Sequence, residues 1–122
     1  MAYGDIGGAV TELVLTCQTR NEGVVAIAKG DPLALIGNYT ITNDFDGNDA
    51  VFGQSLASAD RNSQTIPVKV KGVCIFTFEG DAPSINDTVR CGAPGTVRRA
   101  GLNGTGIVLK VDEAAQKVHV LI

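Results

Sequence analysis

One histidine, three cysteines and thirteen carboxylates are the side chains of this 122-residue chain with the chemistry for catalysis or metal binding. Nucleophilic catalysis by serine or cysteine needs a base within hydrogen-bond reach, and His119 is the one imidazole the sequence offers. It lies in the closing segment KVHVLI, where alternation puts it on the polar face with Lys117. No Gly-x-Ser-x-Gly elbow presents a nucleophile elsewhere, so His119 reads as an exposed or interfacial strand residue. Cys17, Cys74 and Cys91 are odd in number and widely spaced, with no second ligand close by. They read as small buried thiols in a reducing compartment. Cys74, inside VCIFTF, is expected to resist thiol reagents, and Cys91, beside Gly92, to react sooner.

Phosphate and metal sites fare no better. A Walker A loop needs Gly, four residues, then Gly-Lys and a hydroxyl residue, and it is absent. The nearest glycine cluster, GLNGTG at 101–106, lacks the lysine and a following helix, so it reads as a turn. The acidic run NDFDGND at 43–49 has the flavour of a calcium loop through Asp44, Asp46 and Asp49, but its glycine comes too early, and Ser55 stands where the bidentate glutamate belongs. A polar turn with its aspartates in water accounts for it. With no tryptophan and 5% aromatic residues, a sugar-stacking cleft between paired carboxylates is not expected. The chain is therefore read as a non-enzyme without cofactor or metal, acting through its surface.

The elements that carry these residues are strands. Fifteen glycines and four prolines cut the sequence into short pieces rich in Val, Ile, Thr and Phe. Strand signals fall at 11–16, 24–28, 33–36, 38–42, 50–53, 66–71, 73–78, 87–91, 96–99, 106–111 and 117–122. In 66–71, Ile66, Val68 and Val70 alternate with Pro67, Lys69 and Lys71, and in 117–122, Val118, Val120 and Ile122 alternate with Lys117, His119 and Leu121. Each such strand offers one apolar face to a core. DEAAQK at 112–117 has helical composition but is too short for more than a turn, and it is expected to join the last two strands as a hairpin. No stretch has the pattern of a crossover helix, so the expected fold is all-β, a small antiparallel barrel or sandwich. Residues 1–10 are expected to form an extended arm and 11–122 a single β domain. Segment 54–65 reads as an exposed loop or one irregular helical turn, and no internal repeat is apparent.

Charge and hydropathy narrow the partners. The net charge of −3 does not favour nucleic acid, and no apolar run approaches the length of a transmembrane helix. The N-terminus, MAYGDIGGAV, has neither the basic start nor the apolar stretch of a signal peptide, so production in the cytoplasm is expected. Charge is uneven along the chain: residues 1–65 carry a net −5 and residues 66–122 a net +2, an arrangement that gives neighbouring copies opposite signs to align.

The order of these signals carries a resemblance. The runs EGVVAIAKGDPLALIGNYTIT, AVFGQSLASAD, IPVKVKGVCIFTF, DTVRCGAPGTVRR and GTGIVLKVDEAAQKVHVLI, together spanning about residues 22–122, resemble the small tailed-phage capsid decoration proteins, also called capsid cement or head-stabilising proteins. The matching elements, Lys29-Gly30-Asp31-Pro32, Val51-Phe52-Gly53, Val68 to Val73 and Gly106 to Leu109, are turn-and-strand patterns and not catalytic signatures. What the resemblance implies is a homotrimer on the outer surface of a phage head, at threefold positions, bridging subunits of the major capsid protein after expansion. Members of that family have sometimes carried a recombinase label, and the missing Walker motif argues against it here.

Two other classes are compatible with a small all-β chain: a phage tail-tube or head-tail adaptor protein, and a trimeric nucleotide hydrolase of the dUTPase type. The glycine-rich C-terminal phosphate motif of the latter is not matched, since the sequence closes on KVHVLI. For the contacts themselves, the arm supplies Tyr3, Asp5 and Ile6. Tyr3 and Ile6 are apolar anchors in a glycine-rich stretch that could add as a strand to a neighbour's sheet edge.

Overall fold

The computed structural model describes residues 12–43 and 50–122. Among these residues the secondary structure is all strand, in ten segments: β1 (Leu13–Thr19), β2 (Pro32–Gly37), β3 (Thr40–Thr42), β4 (Gly53–Ser55), β5 (Thr65–Lys71), β6 (Val73–Phe78), β7 (Thr88–Cys91), β8 (Thr96–Gly101), β9 (Ile107–Asp112) and β10 (Lys117–Leu121). The all-β expectation holds. The boundary foreseen between arm and domain at residues 10 and 11 lies outside the described residues.

Strands β1 to β5 close into a barrel in the order β1-β3-β2-β4-β5, and β6 to β10 form a five-stranded sheet in the order β7-β8-β6-β10-β9. Each has its own apolar cluster. Cys17, Leu33, Ile41, Ile66 and Val68 fill the barrel. Cys74, Phe76, Phe78, Val89, Val97 and Val118 lead the second cluster, which also takes in Ala34 and Val51 from the first half. The alternation read from the sequence is what builds these cores: in β5 Ile66 and Val68 point in, and in β10 Val118 and Val120 do so.

The second sheet does not end in two open edges. The N–H of Asn86 donates to the Val108 carbonyl (3.0 Å) and the N–H of Val108 to the Asp87 carbonyl (2.8 Å), while Val89 and Thr105 form an antiparallel bridge. These bonds lace the β7 end to β9 and curl the sheet towards a second barrel. Strand edges left unpaired are aggregation-prone, so the lacing also protects them.

With that seam counted, both halves have one topology. Starting from β6, the second unit runs β6-β8-β7-β9-β10 and returns to β6, strand for strand the order of the first. In both, the first and third strands pair in parallel and the other ladders are antiparallel. The registers coincide as well. The row Val14–Lys69–Gln54 across β1, β5 and β4 corresponds to Val73–Leu121–Ile107 across β6, β10 and β9, and Leu15–Val68–Ser55 corresponds to Cys74–Val120–Val108. Gln18, facing Thr65 and Thr40, corresponds to Thr77, facing Lys117 and Thr96. The chain is a tandem structural repeat that the sequence does not announce.

Two strand expectations shift. Segment 24–28 makes only the isolated bridge Ile27–Ala59. Side chains take up neighbouring backbone groups there: Ala28 N–H donates to the Asp31 carboxylate (2.9 Å) and the Asn43 amide to the Ala26 carbonyl (2.8 Å), so no partner strand is required. The strand foreseen at 50–53 instead occupies Gly53–Ser55. Gly53 permits this pairing, because a Cβ there would lie 2.5 Å from the Lys69 carbonyl oxygen. The hairpin at 113–116 joins β9 to β10 as expected, with Gln116 in the left-handed region at φ 54°. Parallel pairing was not foreseen, but it spans only two residue pairs in each half, and the intervening hairpin strand supplies the connection that a helix gives in larger sheets.

Phe76 is the largest side chain buried in the second cluster, at 1% exposure. Phe76→Ala should cost about 3–5 kcal/mol in urea unfolding. A loss below about 1 kcal/mol would show that the second sheet does not close over a packed interior.

Candidate functional site

His119 sits where alternation places it, on the outer face of β10, opposite Ile75 of β6 and Lys110 of β9. Neither cross-strand neighbour is a carboxylate or nucleophile, so the register assembles no acid–base pair around it. Tyr3, Asp5 and Ile6, and likewise Asp44, Asp46 and Asp49 of the acidic run, lie outside the described residues. Among the described residues no three His, Cys, Asp or Glu side chains are grouped to hold a metal ion. The GLNGTG segment forms the β8–β9 connection, with Gly101 and Gly106 both at positive φ (61° and 72°).

All three cysteines are buried, and none is in a disulfide. Burial pushes the Cys17 thiol up, and it pushes the Cys74 thiol up to about 11, with the Lys69 ammonium pulling down and the Glu12 carboxylate adding to the rise. The expectation that Cys91 is more accessible than Cys74 fails: both are 0% exposed. Gly92 is itself buried, so the turn that was to expose Cys91 instead seats it inward, its thiol donating to the Ala50 carbonyl at 3.6 Å.

Two carboxylates brace the turns around β7 and β8. Glu79 accepts from the Ala93 N–H (2.8 Å) and from Nε of Arg98 (2.5 Å), and these two bonds, the backbone one foremost, hold its carboxyl below the usual range. Asp87 accepts from the Ser84 N–H (2.8 Å) and from Arg99 Nε (2.9 Å). Exposed pairs like these contribute little on their own and mainly fix the β7–β8 region.

Two grooves remain. The larger, about 520 Å³, runs between 25–28 and 58–60 and is lined largely by alanine and backbone, with Asp60 as its one charged side chain. The other, about 320 Å³, is an apolar hollow at the barrel mouth walled by Leu15, Leu35, Tyr39 and Phe52. No hydrogen bond joins Ser58 to Asp60 in the first, and the second has no charged side chain in its lining.

Surface, and not a cleft, is where the unusual side chains lie. The outer face of the second sheet carries Ile75, Ile107, Leu109 and Leu121, each between 42 and 49% exposed. A signal for this was present in the sequence: Leu121 falls on the same side of the closing strand as Lys117 and His119, an apolar residue in a polar series. The charge division also changes once the fold is seen. Lys69 and Lys71 belong to β5 of the barrel, so residues 1–71 carry a net −3 and residues 72–122 a net of zero. Opposite-sign halves are thus not what the two units present.

No family model matches the chain, and no curated protein matches it significantly.

The buried thiols give a pH-dependent expectation. Burial raises the Cys74 pKa in the folded state from the ordinary thiol value near 9 to about 11, so its contribution to stability is fully present below about 9 and is lost as pH rises through about 11. Urea unfolding from pH 8 to 11 should show that loss, roughly 2–3 kcal/mol, in the native sequence, and Cys74→Ala should lose markedly less, keeping only what the buried Cys17 contributes. Native protein at pH 8 should also leave Cys17, Cys74 and Cys91 unmodified by a thiol reagent until denaturant is added. Rapid labelling of Cys74 in the native state would overturn its place in the core.

Proposed function

We propose that the protein is a structural component of a phage virion, which binds the outer surface of the expanded capsid as trimers at threefold positions and holds major capsid subunits together. The observation that carries this reading is the resemblance over about residues 22–122 to capsid decoration proteins. It is supported by a body built of repeated β units, whose polar side chains serve turns and junctions and whose second sheet carries exposed apolar residues on its outer face. Such a protein works by contact. Each copy needs only a modest interface with the shell, because the contact is repeated over a closed lattice and its effect accumulates. Bridging adjacent subunits opposes their separation when packaged DNA presses outward.

In this reading the arm adds to the attachment. Tyr3 and Ile6 bury apolar area against the shell, with Asp5 between them, while the strand backbone pairs with an exposed edge.

The test is co-sedimentation of purified protein with empty expanded shells, read alongside light scattering for mass. Saturable binding of a trimer, and a shell that withstands higher temperature when coated, are expected. Absence of binding to expanded shells would overturn the reading, and a stable hexameric ring with a wide lumen would move the protein to the tail or connector. Deleting residues 2–8 should leave thermal unfolding nearly unchanged but weaken shell binding at least tenfold, about 1.4 kcal/mol. Equal occupancy by truncated and full-length protein in competition would remove the arm from the contact.

A further inference from the structure

The two repeats are not equally covered. On the first, the outward side of β2, β4 and β5 is buried under the second: Ala34 is 3% exposed and Gln54 9%, and the Lys69 side chain is 12% exposed. Two side-chain donors cross the junction. Gln54 Nε2 donates to the Ile75 carbonyl and Lys69 Nζ to the Val73 carbonyl, both at 2.9 Å. The first repeat therefore receives, on this side, the first strand of the second repeat.

Among the described residues, none covers the same side of the second repeat. By register, Ala34, Gln54 and Lys69 correspond to Arg90, Ile107 and Leu121. Ile107 is 47% exposed and Leu121 42%, and Nε of Arg90 is buried without a hydrogen-bond partner. Leu109 extends the face, 43% exposed. Together these side chains offer on the order of a few hundred Å² of apolar surface, a patch of the size that is often functional on soluble proteins. A standard interface buries about 800 Å² per partner, little more than half of it apolar, and the patch supplies a substantial part of that apolar area.

We infer that this face binds the first repeat of another copy of the chain, so that the junction between repeats within one copy is approximately continued between copies. The surface presented in return follows from the same register. Val73 and Ile75 on β6, which meet the first repeat, correspond to Val14 and Thr16 on β1, and both of these are exposed. The contact is head to tail, with unlike surfaces meeting, so it generates a ring if its rotation closes and a filament if it does not. Its chemistry differs from that of the internal junction: donors at Gln54 and Lys69 give way to the apolar Ile107 and Leu121, with the Arg90 guanidinium left to find a carbonyl on β1. The absence of net charge on residues 72–122 removes long-range repulsion from the approach. Three copies joined in this way would set six repeats in one ring. The inference rests on the self-association in the reading above and names the surfaces that perform it.

The test uses the full-length chain and three preparations, followed by sedimentation velocity, with circular dichroism as the check on folding. Native sequence at tens of micromolar should be oligomeric. Ile107→Lys combined with Leu121→Lys spoils one side of the contact, and Thr16→Arg spoils the other. Each should be a folded monomer, with association weakened at least tenfold. Because each variant keeps the side that the other lacks, an equimolar mixture should form a heterodimer and stop there. Persistence of the native oligomer in either variant, a monomeric native protein, or no heterodimer in the mixture would overturn the inference. Shell co-sedimentation separates this from the capsid reading: native protein that binds shells but associates independently of these positions sinks the surface assignment alone.

Discussion

Two buried side-chain donors at one junction decide how the halves of this molecule sit. Gln54 and Lys69 lie side by side on adjacent strands of the barrel, and a face bearing such residues would ordinarily be left to water. Here the second sheet covers it, and an amide or ammonium taken from water must recover its hydrogen bonds or cost several kcal/mol. Gln54 does so by reaching the carbonyls of Gly30 (3.2 Å) and Ile75, and Lys69 by reaching Val73 and the Glu12 carboxylate (3.1 Å). Each bond has a fixed length and direction, so together they set the position of β6 over the barrel. Gly72 makes this possible: β5 ends at Lys71 and β6 begins at Val73, and the single residue between them adopts φ 124°, which a side chain would resist. Ala34 and Val51 then add apolar contact to the second cluster.

Most of the strands were legible because their faces differ. Where one side of a strand meets a core and the other meets water, the sequence alternates, as in 66–71 and 117–122, and the reading succeeds to within a residue or two. It fails where other groups do the work of a ladder. The run VVAIA has strand composition, yet the Asp31 and Asn43 side chains serve its backbone and Val24 is left 83% exposed. It also fails where position depends on a distant strand: Gly53 marks the start of β4 only because of the Lys69 carbonyl it must approach. Local pattern carries no record of such a neighbour.

The repeat was hidden for a related reason. What the two halves share is topology and register, and these constrain only whether a position faces in or out, and how much room it has. Cys17 corresponds to Phe76, Leu15 to Cys74 and Ser55 to Val108: pairs alike in place and unlike in chemistry. The volumes differ because the interiors differ, the first barrel being closed by its own ladders and the second borrowing Ala34 and Val51 to complete its cluster. Outward positions diverged further, since those on the first repeat are buried at the junction and their counterparts on the second are open. The candidate contact surface was accordingly half visible. Leu121 stood out in a polar series, but nothing local grouped it with Ile107, which joins it only through register.

The closing ladder of each half also orders events in time. A barrel of this topology is complete only when its fifth strand returns to its first, and β1 and β5 are separated by most of the first repeat's length. Such long-range pairing is slow to nucleate compared with the β2–β3 or β9–β10 hairpins, whose partners are near in sequence. On a ribosome the first repeat has all its ladder partners once Lys71 has emerged, while the second still lacks its last strand. The early-folded half can then hold out Gln54 and Lys69 as a template, and β6, tethered to it by one glycine, is the first strand of the second half to be placed. A chain built this way assembles in a fixed direction, each finished unit offering the seat for the one that follows.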